Sequence, residues 1–295
     1  MKLILIIIPI AILITVIVAY VGFTSDENIE IQKNDEILES ENSQKLIRTN
    51  VESLFNVMAY ENDFEIIDGK KIWRDVFYEL DPLNSAVYNE LKNNKKSAVV
   101  FPIFTAAAYS EPGFYTFYRG ECDQEFHGVL FREDDCLTVN VNEQYVPNFM
   151  SSGEGLQILN LLEYDIITDI SIHQNPEILF SYEKIILLHN EYVTSVEFNA
   201  ITSHPNVIYL YPNALYAEVN FDEELWKISL VRGHNYPEIT IRNGFDWKFD
   251  NSQDEYDVTC EDMEFTKIYN GWMLNCYPEN VLHKNKELLK QIKEF

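Results

Sequence analysis

The chain has 295 residues and a formal net charge of −26, from 48 acidic and 22 basic side chains. A chain this acidic is repelled by phosphate backbones and by anionic lipid headgroups, which argues against nucleic acid as a partner. Hydrophobic residues make up 46% and aromatic residues 14% of the chain, enough to build a real core despite the charge.

After Met1 and Lys2, the run Leu3 to Phe23 carries no charged side chain. About 20 apolar residues span the ~30 Å hydrocarbon core of a bilayer as a helix. The run is longer than the apolar region of a signal peptide, and Ala19–Phe23 makes a poor small-x-small cleavage site. A retained membrane anchor is therefore expected, with a cleaved signal segment as the alternative. Lys2 precedes the run, and Asp26, Glu27 and Glu30 follow it. The positive-inside rule then predicts a single-pass protein of the cell membrane with its C-terminal domain extracellular. Thr24 to Gln44 is polar and acidic and is expected to be a stalk. Four cysteines in an extracellular chain suggest disulfides, and three pairings are open. Short local loops favour Cys122–Cys136 and Cys260–Cys276; buried free thiols are the alternative. There is no C-x-x-C and no accompanying H-x₃₋₅-H pair, which argues against a zinc site of that kind.

From Lys45 to Phe295 the pattern is that of a folded domain. Leu46, Val51, Leu54, Phe55 and Met58 fall at helix-like spacing. Ala98 to Phe104 is an apolar run of buried-strand type, and cysteine-bearing loops with Gly113, Gly120 and Gly128 follow it. Ser151–Gly155 leads into a helix through Leu162. Tyr164–Asp169, Lys184–His189 and Asn206–Tyr211 read as strands, with a helix over Thr194–His204 between the last two. Apolar strands without alternation, separated by short helices, predict an α/β fold with a central parallel sheet over 97–215, flanked by helices. From 216 to 295 the chain reads as β-rich. Strands are expected at Tyr216–Phe221, Trp226–Val231, Glu238–Ile241 and Glu264–Ile268. A hairpin is expected to turn at Asn270-Gly271, and a short amphipathic helix spans Lys286–Phe295. The expected fold class is thus α/β with a β-rich C-terminal part, preceded by one transmembrane helix.

In open α/β sheets ligands bind beyond the carboxyl ends of the strands. The tip after Lys184–Leu188 is His189-Asn190-Glu191-Tyr192-Val193-Thr194. His189 and Glu191 can act as base and orienter or as metal ligands. Alternatively, Thr194 or Asn190 caps the next helix and His189 packs in a polar core network. The tip Tyr211-Pro212-Asn213-Ala214-Leu215-Tyr216 offers Asn213 as a donor to a substrate carbonyl, and Tyr211 or Tyr216 as a ligand or stacking group. An ordinary Pro-Asn turn is the plainer account. Beyond Phe104 stand Thr105, Tyr109, Ser110, Glu111, Tyr115 and Tyr118, where an aromatic loop is the plainer account. His234 can fold over the same face or simply be solvated. No P-loop, G-x-S-x-G or H-E-x-x-H occurs, and Gly153-Glu154-Gly155 is ill suited to a pyrophosphate.

The stretch from about Tyr164 to Glu218 resembles the class I glutamine-amidotransferase-like fold. Leu188-His189-Asn190-Glu191-Tyr192-Val193-Thr194 resembles the G-H-x-E-Y-W-S segment of the N,N-dimethylformamidase large-subunit family. The chain as a whole resembles membrane-anchored archaeal proteins with no assigned activity. Glutaminases carry a nucleophilic cysteine on a sharp turn after the following strand; here Tyr211-Pro212-Asn213 stands there, without a cysteine. The dimethylformamidase resemblance implies iron held by tyrosines and a glutamate beside a histidine. It places Glu191 as metal ligand and His189 as base; no tyrosine is matched by the motif, and Tyr109 is taken as a second ligand from its strand-end position alone. Two functions follow. One is a metal-dependent hydrolase of a small amide, with iron or zinc as cofactor and His189, Glu191 and Asn213 as catalytic residues. The other is a non-catalytic cell-surface module that binds a cation or a partner and has lost the ancestral cysteine.

Overall fold

Short aliphatic runs with no polar alternation must be covered on both faces, and they dictate the centre of this molecule. The computed structural model describes residues 45–122, 125–126, 129–130, 132–142, 150–254, 262–278 and 280–295. Within these, the chain opens with β1 (Leu46–Arg48), β2 (Asn56–Tyr60), β3 (Phe64–Ile67), β4 (Lys70–Trp73) and β5 (Val76–Glu79). β1, β2 and β5 form an antiparallel sheet, and β3 and β4 a separate hairpin. The helix-like spacing over 46–58 is therefore misleading. Val57 and Ala59 are buried while Asn56, Met58 and Tyr60 are only half-buried, which is the period-two pattern of a strand with one face on the core.

Then follow α1 (Ser85–Leu91), β6 (Ser97–Phe101), α2 (Ile103–Ala108), α3 (Phe114–Tyr118), β7 (Glu125–Phe126), β8 (Val129–Leu130), α4 (Glu133–Cys136) and β9 (Thr138–Asn140). Next come α5 (Met150–Leu161), β10 (Asp165–Thr168), α6 (Asp169–Gln174), β11 (Lys184–Leu187), β12 (Tyr192–Val193), α7 (Ser195–Ser203) and β13 (Val207–Tyr209). The chain finishes with β14 (Ala217–Asp222), β15 (Lys227–Arg232), β16 (Phe265–Ile268), β17 (Gly271–Leu274) and α8 (Lys286–Glu294).

The main sheet has the order β10-β6-β11-β13-β17-β16, parallel except for the edge strand β16. Alternate residues of one strand serve opposite faces. Val99, Ile186 and Ile208 pack with Leu91 of α1, Leu159 of α5 and Ile292 of α8. Ala98, Val100, Ile185, Leu187 and Val207 pack with Ile172 of α6 and Ile201 of α7. Both faces are thus covered, as the unbroken apolar strands require.

Among the described residues the C-terminal part carries four strands, divided between two sheets. Its first two strands join a second sheet of order β12-β14-β15-β9, and its hairpin completes the main sheet. The strand expected at Glu238–Ile241 is instead a turn-rich loop. The hairpin turns one residue earlier than expected: Ile268 pairs with Gly271, leaving Tyr269 and Asn270 as the loop. Asn270 is used otherwise. Its Nδ2 donates to the carbonyls of Ile201 (3.0 Å) and His204 (3.1 Å) at the end of α7, and its Oδ1 accepts from Tyr209 Oη at 3.2 Å. Gly271 lies so close to β13 that a Cβ there would collide with the Val207 carbonyl. That contact decides the register.

The membrane reading is corrected. Among the described residues no helix is long and apolar enough to cross a membrane. Leu3–Phe23 and the expected stalk Thr24–Gln44 lie outside the described residues. The fold is therefore a mixed α/β unit over Lys45–Phe295, and a transmembrane helix, a single-pass placement and a cell-membrane localisation have no support in it. The Cys122–Cys136 disulfide is formed, with Cα atoms 6.0 Å apart across a separation of 14 residues. Cys260, the expected partner of Cys276, lies outside the described residues.

Candidate functional site

β11 is buried at all four positions and delivers the chain to Leu188-His189-Asn190-Glu191 at its carboxyl end. There the chain leaves the main sheet and enters β12 of the second sheet, pairing Tyr192 with Ala217. The crossover is fixed by main-chain hydrogen bonds. Leu215 N donates to Asn190 O at 2.8 Å, and Tyr216 N and Ala217 N both donate to Glu191 O at 2.9 Å. These bonds clamp the tip after β13 onto the tip after β11, so the two loops read separately in the sequence form one site. Thr194 is the helix cap: its Oγ1 accepts from Glu197 N while Glu197 Oε2 accepts from Thr194 N at 2.9 Å. Asn190 plays no capping role.

Glu191 is the centre, with no exposed surface. His234 Nε2 lies 2.6 Å from its Oε1, Tyr109 Oη donates to its Oε2 at 2.8 Å, and His189 Nε2 lies 3.4 Å from that same oxygen. Burial works to raise this carboxyl, but His234 and His189 overcome it and hold the group down at about 2. The carboxylate is thus ionised and acts as an acceptor. Tyr115 Oη donates to Tyr109 Oη at 2.8 Å, extending the chain of oxygens toward the surface, where both rings are half-buried. Burial and the Glu191 charge push both phenols far above the ordinary tyrosine range, so they keep their protons beside the bare carboxylate.

His189 Nε2 is also 3.1 Å from the Asn213 amide nitrogen. One ring nitrogen cannot accept from that amide and donate to Glu191 together, so the imidazole has two competing hydrogen-bonded states. Its ring stacks on Tyr211 with centroids 5.0 Å apart and packs against Tyr277 at 5.5 Å. His189 Nδ1, Asn213 Oδ1 and both amide atoms of Asn190 are buried without a hydrogen-bond partner. Unspent buried polarity of this kind is satisfied by an ordered water, an ion or a ligand, or it costs stability.

The four residues expected at the site, His189, Glu191, Asn213 and Tyr109, are therefore brought together. His234 joins them, carried by the turn after β15. Tyr211 and Tyr216 form aromatic walls, Tyr216 lying 4.6 Å from the His234 ring between centroids. Thr105 accepts from Tyr192 N at 3.1 Å and supports the crossover. Glu111 points elsewhere, to Thr116 and Arg119. Tyr115, read as part of an aromatic loop, belongs to the site; its place six residues after Tyr109 was the available signal. Ser152, which accepts from His189 N at 3.3 Å, and Tyr277 come from distant segments and carry no local signal.

Among the described residues no set of three His, Cys, Asp or Glu side chains is arranged to hold a metal ion. The oxygen donors here are one carboxylate and two phenols. Oxygen ligands at 2.0–2.2 Å from a metal, at right angles, stand roughly 3 Å apart. Glu191 Oε2 to Tyr109 Oη and Tyr109 Oη to Tyr115 Oη are each 2.8 Å. Two of the three oxygen–oxygen distances in this set match that spacing, and both are at present hydrogen bonds carrying phenolic protons. No family model matches the sequence, and no curated protein matches it.

Proposed function

We propose that this protein is a metal-dependent hydrolase of a small amide. The observation that carries the reading is the run of oxygens Glu191–Tyr109–Tyr115 at 2.8 Å intervals beside His189. Glu191 Oε2 and the two phenol oxygens would hold the cation, and hard oxygen donors of this kind suit iron better than a soft metal. A cation bound there supplies Lewis-acid polarisation of the amide carbonyl. The remaining work falls to side chains. His189 Nε2 takes a proton from water as general base and returns it to the leaving amine. Asn213, 3.1 Å from that nitrogen, orients the ring or donates to the substrate oxygen. Stacking on Tyr211 keeps the imidazole in one plane. A cysteine glutaminase is not proposed, because Tyr211-Pro212-Asn213 carries no thiol.

A second reading, a binding module without chemistry, is favoured by one observation. Glu191 exposes no surface, and each of its oxygens already has a protein partner. The two separate cleanly. Metal content of the purified full-length chain should be stoichiometric in iron or zinc and lost in Glu191→Ala and in the Tyr109→Phe, Tyr115→Phe double variant. Loaded protein should then cleave simple formamides. A wild-type chain that takes up neither metal supports the binding module.

A further inference from the structure

His234 is presented by a tight two-residue reversal. Gly233 has φ 125°, His234 φ 49° and Asn235 φ 65°. Left-handed backbone at both central residues is the geometry such a reversal requires, and histidine and asparagine are among the residues that adopt it. Its frame is fully hydrogen-bonded. Gly233 N and Tyr236 N each donate to the other's carbonyl at 2.9 Å, while His234 N donates to Arg242 O at 2.8 Å and Asn235 N to Ile241 O at 2.7 Å. The ring is held between Tyr118, Tyr192 and Tyr216, at centroid distances of 5.3, 5.5 and 4.6 Å. All of this aims one nitrogen at one carboxylate oxygen, Glu191 Oε1, at 2.6 Å.

The two oxygens of Glu191 are thereby divided. Oε1 belongs to His234, and Oε2 faces Tyr109, with His189 Nε2 3.4 Å away. We infer that His234 is a positioning residue: by engaging Oε1 it makes Glu191 present the single oxygen Oε2 to a cation shared with Tyr109 and Tyr115. The inference rests on the metal reading above and names a residue that reading does not use. A ligating carboxylate whose other oxygen is hydrogen-bonded is fixed in orientation, and loss of such a partner costs about 10–100-fold in metal affinity. One-oxygen ligation also leaves a coordination position for the substrate carbonyl.

The experiment is titration of the metal-free full-length chain with iron(II) under argon and, separately, with zinc(II). Wild type is set beside His234→Ala and His234→Gln. Gln keeps a nitrogen donor at similar reach without the imidazole, so it restores the hydrogen bond but not the ring packing. Affinity should fall about 10–100-fold in His234→Ala and return to within a few-fold of wild type in His234→Gln. Equal affinity in all three chains overturns the inference while leaving the metal site standing. Equal loss in both variants, with a broadened thermal transition, makes the turn merely structural and also overturns it. A wild-type chain that binds neither metal overturns this inference and the metal reading together.

Discussion

The two ends of β11 use buried polar groups in opposite ways. At its start, Lys184 is fully buried, and its Nζ donates to the carbonyls of Ile292 (2.6 Å) and Lys293 (3.0 Å) at the end of α8. Those carbonyls lack partners within their own helix, and a cation beside them also suits the helix dipole. Burial lowers this amine to about 8, and two of its three donors are hydrogen-bonded. Beyond the other end, six residues on, Asn190 is just as buried, yet neither atom of its amide has a partner. His189 Nδ1 and Asn213 Oδ1 are in the same condition. A buried polar group with its bonds made is part of the structure; one with capacity left over costs stability unless an ordered water, an ion or a ligand satisfies it.

The comparison can be broken at its structural end first. Lys184→Ala should cost about 3 kcal/mol of stability in urea unfolding, because it strands helix-end carbonyls and opens a cavity. A loss under about 1 kcal/mol would mean the lysine is not a clasp. The acid limb of stability tests the other end. The Glu191 carboxyl sits at about 2 in the fold against an ordinary 4.5, so the folded state favours the ionised form. Its contribution is full above 4.5 and is lost as the pH falls toward 2, on the order of 3 kcal/mol over that window. Glu191→Gln should flatten the loss of stability between those two values; an unchanged acid limb would deny the carboxylate its imidazole partners. The smallest effect is the sharpest. Asn190→Leu removes an amide that makes no bonds and should leave stability unchanged or raise it by about 1 kcal/mol. A clear loss on equilibrium unfolding would show that the amide has a structural role after all.

The parallel strands were legible because nothing competes with their pattern. Val99–Val100, Ile185–Leu187 and Val207–Tyr209 are apolar on both faces, which only a doubly covered sheet explains. The Thr194 cap and the helix behind it were legible for a local reason, the capping box with Glu197. At 46–58 the reading failed because a few apolar residues fit either period, and packing against the core chose the strand. At Asn270-Gly271 a good turn pair was overruled by two tertiary demands: the close approach of Gly271 to Val207 and the use of Asn270 to bind the end of α7.

Local apolar runs alone set where chemistry-bearing residues stand along the chain. His189 and Glu191 had to follow a buried strand, and Asn213 had to follow the next parallel one, because strand ends are set by local apolar runs. Which of them meet depends on the packing of the sheets. Tyr109 and Tyr115 arrive from the helices after β6, and His234 from a tight turn after β15. Tyr277 comes from beyond β17. Contacts across separations of 43 to 88 residues depend on how sheets stack and cross over, and no local periodicity encodes that.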